Sequence, residues 1–429
     1  MATSTQLRQR IAAGEWDPKL RALYGNTEQE LCRQRARYCA ALEQFELYFG
    51  PGRQVQVYSA PGRAELGGNH TDHQHGYGLA AAVTLDLVAV AACNTDGYVR
   101  VKSRGFNKLD VIDLTVAGPQ EGEGTHSASL IRGIAEGFRA VGKKVGGFDA
   151  YTASDVLRGS GLSSSAAFEM GMAVIWNGEY DCGLTPTELA KICQYAENTY
   201  FGKPSGLLDQ LTSAVGGIIF ADFADPTSPQ IEKIHTDGLL PPGMSLCVTD
   251  TRGSHSELTS EFAAIRKEME QVAGTLGKKV LGQVTESEFW AALPELRSKC
   301  GDRAVLRAIH YFEENTRTLA QRDALQAGRF AAFAALVLES GRASFALCQN
   351  VYCSTDVRHQ GLSVALALSQ CILQGSGAWR MQGGGFAGTI QAYVPRELLE
   401  RYHSEIERVF GAGSCYVLRL REQGAVRVG

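Results

Sequence analysis

The sequence has no block of basic residues, no long apolar run free of charge and no paired-cysteine motif. Each absence removes a class of protein. Its 42 Lys and Arg against 46 Asp and Glu leave a net charge of only −4, with no cluster to act as an electrostatic footprint for nucleic acid or an anionic membrane. The opening stretch MATSTQLRQRIAAGEW lacks an apolar core long enough for a signal peptide, which predicts a cytoplasmic protein. The most apolar window, GLAAAVTLDLVAVAAC, carries Asp86 near its middle, so a buried strand or helix is expected rather than a membrane span. The 11 cysteines are odd in number and scattered, with no C-x-x-C pair, as expected for reduced thiols in the cytoplasm. Internal repeats and low-complexity tracts are also missing.

What is present is a chain of 429 residues, long enough for two domains. Helical spacing of Leu31, Tyr38, Leu42 and Phe45 predicts a helix over 27–49. Alternation through QVQVYSAPGR, AAAVTLDLVAVAA, GYVRVKS and LDVIDLTV predicts a mostly antiparallel sheet. Further helices are expected in SASLIRGIAEGFRAVG, in AAFEMGMAVIWNGEY and in TPTELAKICQYAENTYFG, the last opening on a Thr-x-x-Glu capping box. Past GGIIFADF the loop ADPTSPQ is rich in turn formers, and the domain change is placed in this region. The pattern is α+β, not a regular βαβ alternation. It suggests an N-terminal extension over 1–25, a lobe over 26–215 and a second lobe over 216–429 whose last strand returns to the first.

Residues 158–171, RGSGLSSSAAFEMG, are the most informative. A Gly-x-Gly turn, Gly159 and Gly161, leads through three serines into a helix expected to begin near Ala166. A helix start exposes unpaired N–H groups and a partial positive charge, and so draws phosphate. The two glycines let backbone approach the anion. Ser163, Ser164 and Ser165 add hydroxyls for phosphate or magnesium. Read alone, a serine-rich cap before an ordinary helix explains the run equally well. GFRAVGKK at 137–144 falls one residue short of a Walker loop, with Lys144 where Ser or Thr is required, and no third glycine completes a dinucleotide fingerprint. A second glycine loop, RMQGGGFAG at 380–388, lies between strand-like runs and implies a tight turn or a close backbone approach.

A third stretch, GGNHTDHQHGYG at 67–78, crowds histidines and an aspartate together. A metal cage would need these ligands to converge on one point; reversed, the pattern would be a hydrolase zinc motif, but reversal destroys that geometry. Taken in order, APGRAELGGNHTDHQHG, GSGLSSSAA and QGGGFAG resemble the three motifs of the GHMP small-molecule kinases. The first is similar to the galactokinase signature, which reads A-P-G-R-V-N-L-I-G-E-H-T-D-Y-N. YAENTYFGKPSGLLDQL and SHSELTSEFAAIRKE are further matches, and the resemblance runs from about Leu42 to Leu420.

The resemblance implies a two-lobed α+β fold with the active site in the cleft between lobes. It implies ATP held by Gly159, Gly161, Leu162, Ser163, Ser164 and Ser165, with Gly384 and Gly385 alongside, and Mg2+ held by Ser165 and Glu197. Asp209 would sit beside a sugar's anomeric hydroxyl, paired with Arg63. Asn69, His70, Asp72, Gly206 and Phe262 would line the sugar pocket. A carboxylate accepting from two neighbouring hydroxyls suits the galactose O3/O4 pair, and His73 and His75 are expected to be exposed or to make extra sugar contacts. The chemistry coheres: an anomeric hydroxyl is a poor nucleophile, a carboxylate can accept its proton, and a nearby arginine keeps that carboxylate ionised.

The chain departs from the family at several points. Asn69 stands where galactokinases carry a Glu that contacts the 6-hydroxyl end of the sugar. Phe262 replaces a sugar-contacting Tyr, Ser127 stands where many members have a Trp near the base, and DHQHG replaces D-Y-N-x-G. The amide of Asn69 is not an acceptor-only anion, so a sugar charged at C6 would be better tolerated there. Plant galacturonate kinases of this family also lack the Glu and read D-H-Q. Most of the pocket pattern is nevertheless intact, so galactose comes first and galacturonate, or another C6-altered galactose, second. A silent sugar sensor, a kinase of another alcohol and a non-enzymatic scaffold are the rival classes; the intact serine loop, H-T-D and LLDQ speak against them. The expected partners are ATP and a small sugar, without nucleic acid or membrane, in a monomer or weak homo-oligomer.

Overall fold

The computed structural model describes residues 2–156, 161–203, 205–235, 240–253 and 258–429. The N-terminal part runs β1 (Ala2–Thr3), α1 (Ser4–Ala12), α2 (Asp17–Tyr24), α3 (Glu28–Phe49), β2 (Gln54–Gly67), β3 (Tyr77–Cys93), β4 (Tyr98–Ser103), β5 (Leu109–Asp113), α4 (Ser127–Ala140), β6 (Phe148–Ser154), α5 (Ser164–Glu179), α6 (Pro186–Ala196) and α7 (Leu208–Val215). The rest runs β7 (Ile218–Asp222), β8 (Gln230–Ile234), β9 (Met244–Asp250), α8 (Thr259–Thr275), α9 (Glu286–Ala291), α10 (Leu293–Cys300), α11 (Asp302–Gln326), α12 (Phe330–Ala343), α13 (Gly361–Leu373), β10 (Ala378–Gln382), β11 (Thr389–Pro395), α14 (Arg396–Phe410), β12 (Cys415–Leu418) and β13 (Val426–Arg427).

The strands form two sheets. The larger has the order β1-β2-β3-β6-β4-β5, with β7 and β8 joined through β3 and with β13 on β2; the smaller is β10-β11-β9-β12. Every pairing is antiparallel except β4 with β6, as the alternating sequence pattern predicts. The period of two divides each strand between two layers. Val88 and Val90 face the cluster built by Leu7, Ile11, Trp16, Leu20 and Phe45 of the first three helices. Ala89 and Ala91 face Phe138, Met170 and Trp176 of α4 and α5. Residues 2–24, read from sequence as an appendage, thus cover one face of the large sheet. Strand pairing also puts β7 and β8, beyond residue 215, in that sheet, and β13 returns to β2.

Asp86 is in β3, fully buried. Arg37 Nη1 donates to its Oδ1 at 2.6 Å, and Arg421 Nη1 and Tyr24 Oη donate to Oδ2 at 3.0 and 2.6 Å. Burial would raise this carboxyl, but Arg37 and Arg421 outweigh it and hold it below the usual range. A buried charge is tolerable only with partners of this kind, and these three come from α3, the C-terminal tail and α2. By length and composition the helix from Phe330 to Cys348 is long and apolar enough to cross a membrane; here Phe333, Val337 and Ser340 bury one side of it, where α12 packs on α11 and β10.

Candidate active site

α5 starts at Ser164, two residues before the sequence pattern suggested, because the serines take up the cap and first turn. Ser163 is the cap residue, in the left-handed region at φ 56°. Its hydroxyl does not cap the helix; it donates to Asp209 Oδ2 at 2.7 Å. Arg63, on β2, grips the same carboxylate in a two-pronged pair, Nε to Oδ1 at 2.7 Å and Nη2 to Oδ2 at 2.9 Å. Its Nη1 donates to the Gly161 carbonyl, and its backbone N–H to Leu162 O at 3.0 Å. Burial alone would raise the Asp209 carboxyl, but Arg63, Lys203 and Ser163 outweigh it, and the group is held below the usual carboxylate range. Arg63 is 6% exposed and the Asp209 side chain 30% exposed, so the pair faces an opening from below.

The second glycine loop, between β10 and β11, is both a tight turn and a close approach. Gly161 has φ 63°, and a Cβ there would lie 2.7 Å from Thr389 Oγ1 and 3.0 Å from Gln382 O. Gln382 Nε2 donates to Gly161 O at 3.0 Å. His70 Nε2 donates to Gly384 O at 3.0 Å, and Asn69 Nδ2 to Gly383 O at 2.8 Å. The three sequence motifs therefore meet around residues 383–384. Gly385, at φ 90°, has no room for a Cβ beside Asn350 O. Phe262 lies against Gly384 and packs edge-on to Phe386, 5.4 Å between ring centres.

Burial lowers His70 to about 4 and His73 well below its usual value, so both rings are neutral near pH 7. His73 and His75 are partly buried rather than exposed; His73 Nε2 stands 3.4 Å from His70 Nδ1. Asp72 Oδ1 accepts from the His73 N–H at 2.8 Å. Its Oδ2 lies so close to Gly206 that any Cβ there would overlap it, at 1.6 Å. Burial, then the neighbouring Asp209 charge, pushes Asp72 up to about 6.

Behind the serines, Glu197 accepts from Ser165 Oγ at 3.2 Å, Lys203 Nζ at 2.7 Å and Gln210 Nε2 at 2.8 Å. Gln210 Nε2 also donates to Glu169 Oε2 at 3.0 Å, and burial with the Glu197 charge raises Glu169 well above its usual value. A carboxylate beside a hydroxyl is the hard oxygen chemistry that Mg2+ takes. From Ser164 and Ser165 a cavity of about 660 Å³ opens, walled by Leu87, Phe106, Leu130, Val156, Phe168 and Phe201. That is ample for a nucleoside. Ser127 lines it and donates to Asp110 Oδ2.

Of the residues singled out from sequence, Arg63, Asp209, Gly161, Leu162 and Ser163 come together, as do Ser165 with Glu197, Asp72 with Gly206, and Asn69 and His70 with the 383–385 turn. Gly159 lies outside the described residues. Lys203, Glu169, Glu65 and Arg380 were not anticipated. Glu169 had a signal, one turn beyond Ser165 on the same helix face; Lys203 had none.

The chain carries the GHMP kinases N terminal domain over residues 129–217 and the galactokinase galactose-binding signature over 43–93. It is 32% identical over 371 residues to a galactokinase of Streptomyces coelicolor, covering 85% of this chain and 91% of that one. Its fold is similar to the crystal structure of Lactococcus lactis galactokinase complexed with galactose, at a TM-score of 0.78, 24% identity, 90% of this chain and 98% of that chain. A Methanococcus jannaschii mevalonate kinase is similar at a TM-score of 0.62 and 15% identity, over 86% of this chain and 99% of the other.

Proposed function

We propose that the chain, which belongs to the galactokinase family of the GHMP kinases, is a sugar 1-kinase that transfers the γ-phosphoryl group of ATP to the anomeric hydroxyl of D-galactose. The observation that carries this is the two-pronged Arg63–Asp209 pair tied through Arg63 to Gly161, at the mouth of the serine-lined helix start. It sets a carboxylate where a sugar hydroxyl and a phosphate would meet.

The serine hydroxyls and N–H groups at the start of α5 hold the ATP phosphates, with Gly384 and Gly385 closing the loop from the other side. The cavity beyond Ser164 takes the base. Ser165 and Glu197 would hold Mg2+, which when bound offsets phosphate charge; Lys203 Nζ, 2.7 Å from Glu197 Oε1, orients that carboxylate. Asp72, His70 and Gly206 line the sugar pocket, with Phe262 beside Gly384. Asp209, kept ionised by Arg63, orients the anomeric hydroxyl and accepts its proton late, as the O–P bond forms. A low proton affinity suits a loose transition state, in which the nucleophile is still a hydroxyl for most of the path. Positioning and charge then supply most of the rate. The 11 cysteines, odd in number and without a C-x-x-C pair, are the ground for a cytoplasmic setting, and we take the protein as a monomer or weak homo-oligomer.

Galacturonate is the second reading, on the ground that Asn69 puts an amide where galactokinases carry Glu. ADP release by purified protein with ATP, Mg2+ and each sugar ranks the two. The expected result is turnover with galactose, and a faster rate with galacturonate would favour the second reading. No sugar-dependent ADP release with either rejects both.

A further inference from the structure

We infer that Glu65, not Asn69, is the carboxylate that reads the C6 end of the sugar in this chain, an inference resting on the sugar-kinase reading above. The galactokinase signature places an amide and then, four residues on, a carboxylate, in R-V-N-L-I-G-E-H. This chain has Glu65 and Asn69 at those positions: the two side-chain types have exchanged places.

The structure couples the two changes. Asn69 Nδ2 donates to Glu65 Oε1 at 3.0 Å and to Gly383 O at 2.8 Å, and Asn69 Oδ1 accepts from Asn350 Nδ2 at 2.9 Å. Both amide hydrogens are spent, and the residue is 1% exposed. Asn69 is a clamp, closed on protein groups. Glu65 is different. Its Oε1 accepts from Asn69 and from Arg380 Nη2 at 2.6 Å, while Oε2 accepts no hydrogen bond among the described residues. Nor is Oε2 one of the buried unpaired atoms, and a tenth of the side chain is still exposed. Two residues apart on β2, Glu65 and Arg63 share a face, and Glu65 is close enough to Asp72, Asp209 and Arg63 for their charges to act on one another.

Burial raises the Glu65 carboxyl, and Arg380 works against that rise; an oxygen with free lone pairs at the rim of the pocket suits a neutral CH2OH donor. A uronate would instead set a fourth carboxylate beside Glu65, Asp72 and Asp209. Arg380 offers that uronate nothing: it is fully buried, with Nη2 on Glu65, Nη1 on Leu66 O at 3.3 Å and Nε on Met381 O at 3.2 Å. The exchange thus restores at position 65 the acceptor lost at position 69, and it selects galactose against galacturonate.

The test compares kcat/KM for galactose, 6-deoxygalactose and galacturonate in wild type, Glu65→Gln and Asn69→Ala. The galactose to 6-deoxygalactose ratio within one preparation is independent of the fraction folded. In wild type it should be about tenfold to a hundredfold, the worth of one hydrogen bond to a charged acceptor. Glu65→Gln, which leaves only a neutral amide, should lower it several-fold and improve galacturonate relative to galactose. Asn69→Ala should lower both rates and keep the ratio within about twofold, as expected of a residue that touches only protein. A ratio near unity in wild type, an unchanged ratio in Glu65→Gln, or a collapse in Asn69→Ala in its place would each overturn the inference. A wild type that phosphorylates none of the three sugars refutes the sugar-kinase reading itself.

Discussion

At the scale of single residues the site is a balance between carboxylates that need opposite treatment. Asp209 is gripped by Arg63 and held below the usual carboxylate range; Asp72, with no ion pair among the described residues, is pushed up to about 6 by burial and by Asp209. Replacing Asp209 by Asn should lower kcat by about 10²- to 10⁴-fold, the usual worth of a positioned proton acceptor, while sugar affinity, measured by calorimetry, changes much less. If Asp72 takes two sugar hydroxyls as proposed, protonation turns one of its acceptor oxygens into a donor, so kcat/KM for the sugar should fall below pH about 6, and Asp72→Asn should lack that limb while binding sugar more weakly throughout. The stability effect has its own sign. An acid whose folded pKa is raised binds more protons folded than unfolded, so this group costs stability progressively as pH rises from the ordinary carboxylate range to about 6. Asp72→Asn should therefore melt higher than wild type at pH 7.5 and lose that advantage near pH 4. An unchanged difference between the two pH values would contradict the assignment.

At the scale of elements, the site depends on how closely backbones approach. Gly206, just before α7, leaves room for Asp72 Oδ2 that no side chain could share. Gly206→Ala should raise the sugar KM about tenfold or more, since displacements of about an ångström at a reacting centre carry penalties of that order, with the KM for ATP little changed. Equal rises in both constants would point to general disorder of the cleft. Much of this level was legible in the sequence. The 3.6-residue spacing of Leu31, Tyr38, Leu42 and Phe45 gives α3, alternation gives β2 to β5, and Thr185 caps α6 with Glu188 in the expected box. The serine run was legible as a helix start but not as a hand on Asp209, because Ser163 turns its hydroxyl away from the helix it precedes. Glu65 went unread for a similar reason: its partners Asn69 and Arg380 lie across a turn and a second sheet, and neither periodicity nor propensity encodes such a meeting.

At the scale of the whole molecule, Asp86 links parts of the chain that composition keeps apart. A charge inside an apolar window predicted burial; which cations answer it, Arg37 on α3 and Arg421 in the tail, was not readable from spacing. Asp86→Ala would leave two buried guanidinium groups without their carboxylate and should destabilise the fold by about 3–5 kcal/mol, read as a lower urea midpoint. A loss under about 1 kcal/mol would mean that the pairing only offsets its own desolvation. The same long-range closure explains why residues 2–24, an appendage by sequence, form part of the layer over β2 and β3. It also explains why β2, pinned on both faces, can hold Arg63 firmly against the turn at Gly161 and Leu162.

The most direct test of that arrangement is the position of the phosphate in the product. Phosphorus NMR of the sugar phosphate made from ATP and galactose by wild type and by Asp209→Asn should show a phosphoryl group on the anomeric oxygen in the first and almost none in the second. Phosphate on any other hydroxyl, or an Asp209→Asn protein as active as wild type, would contradict a carboxylate aimed at C1.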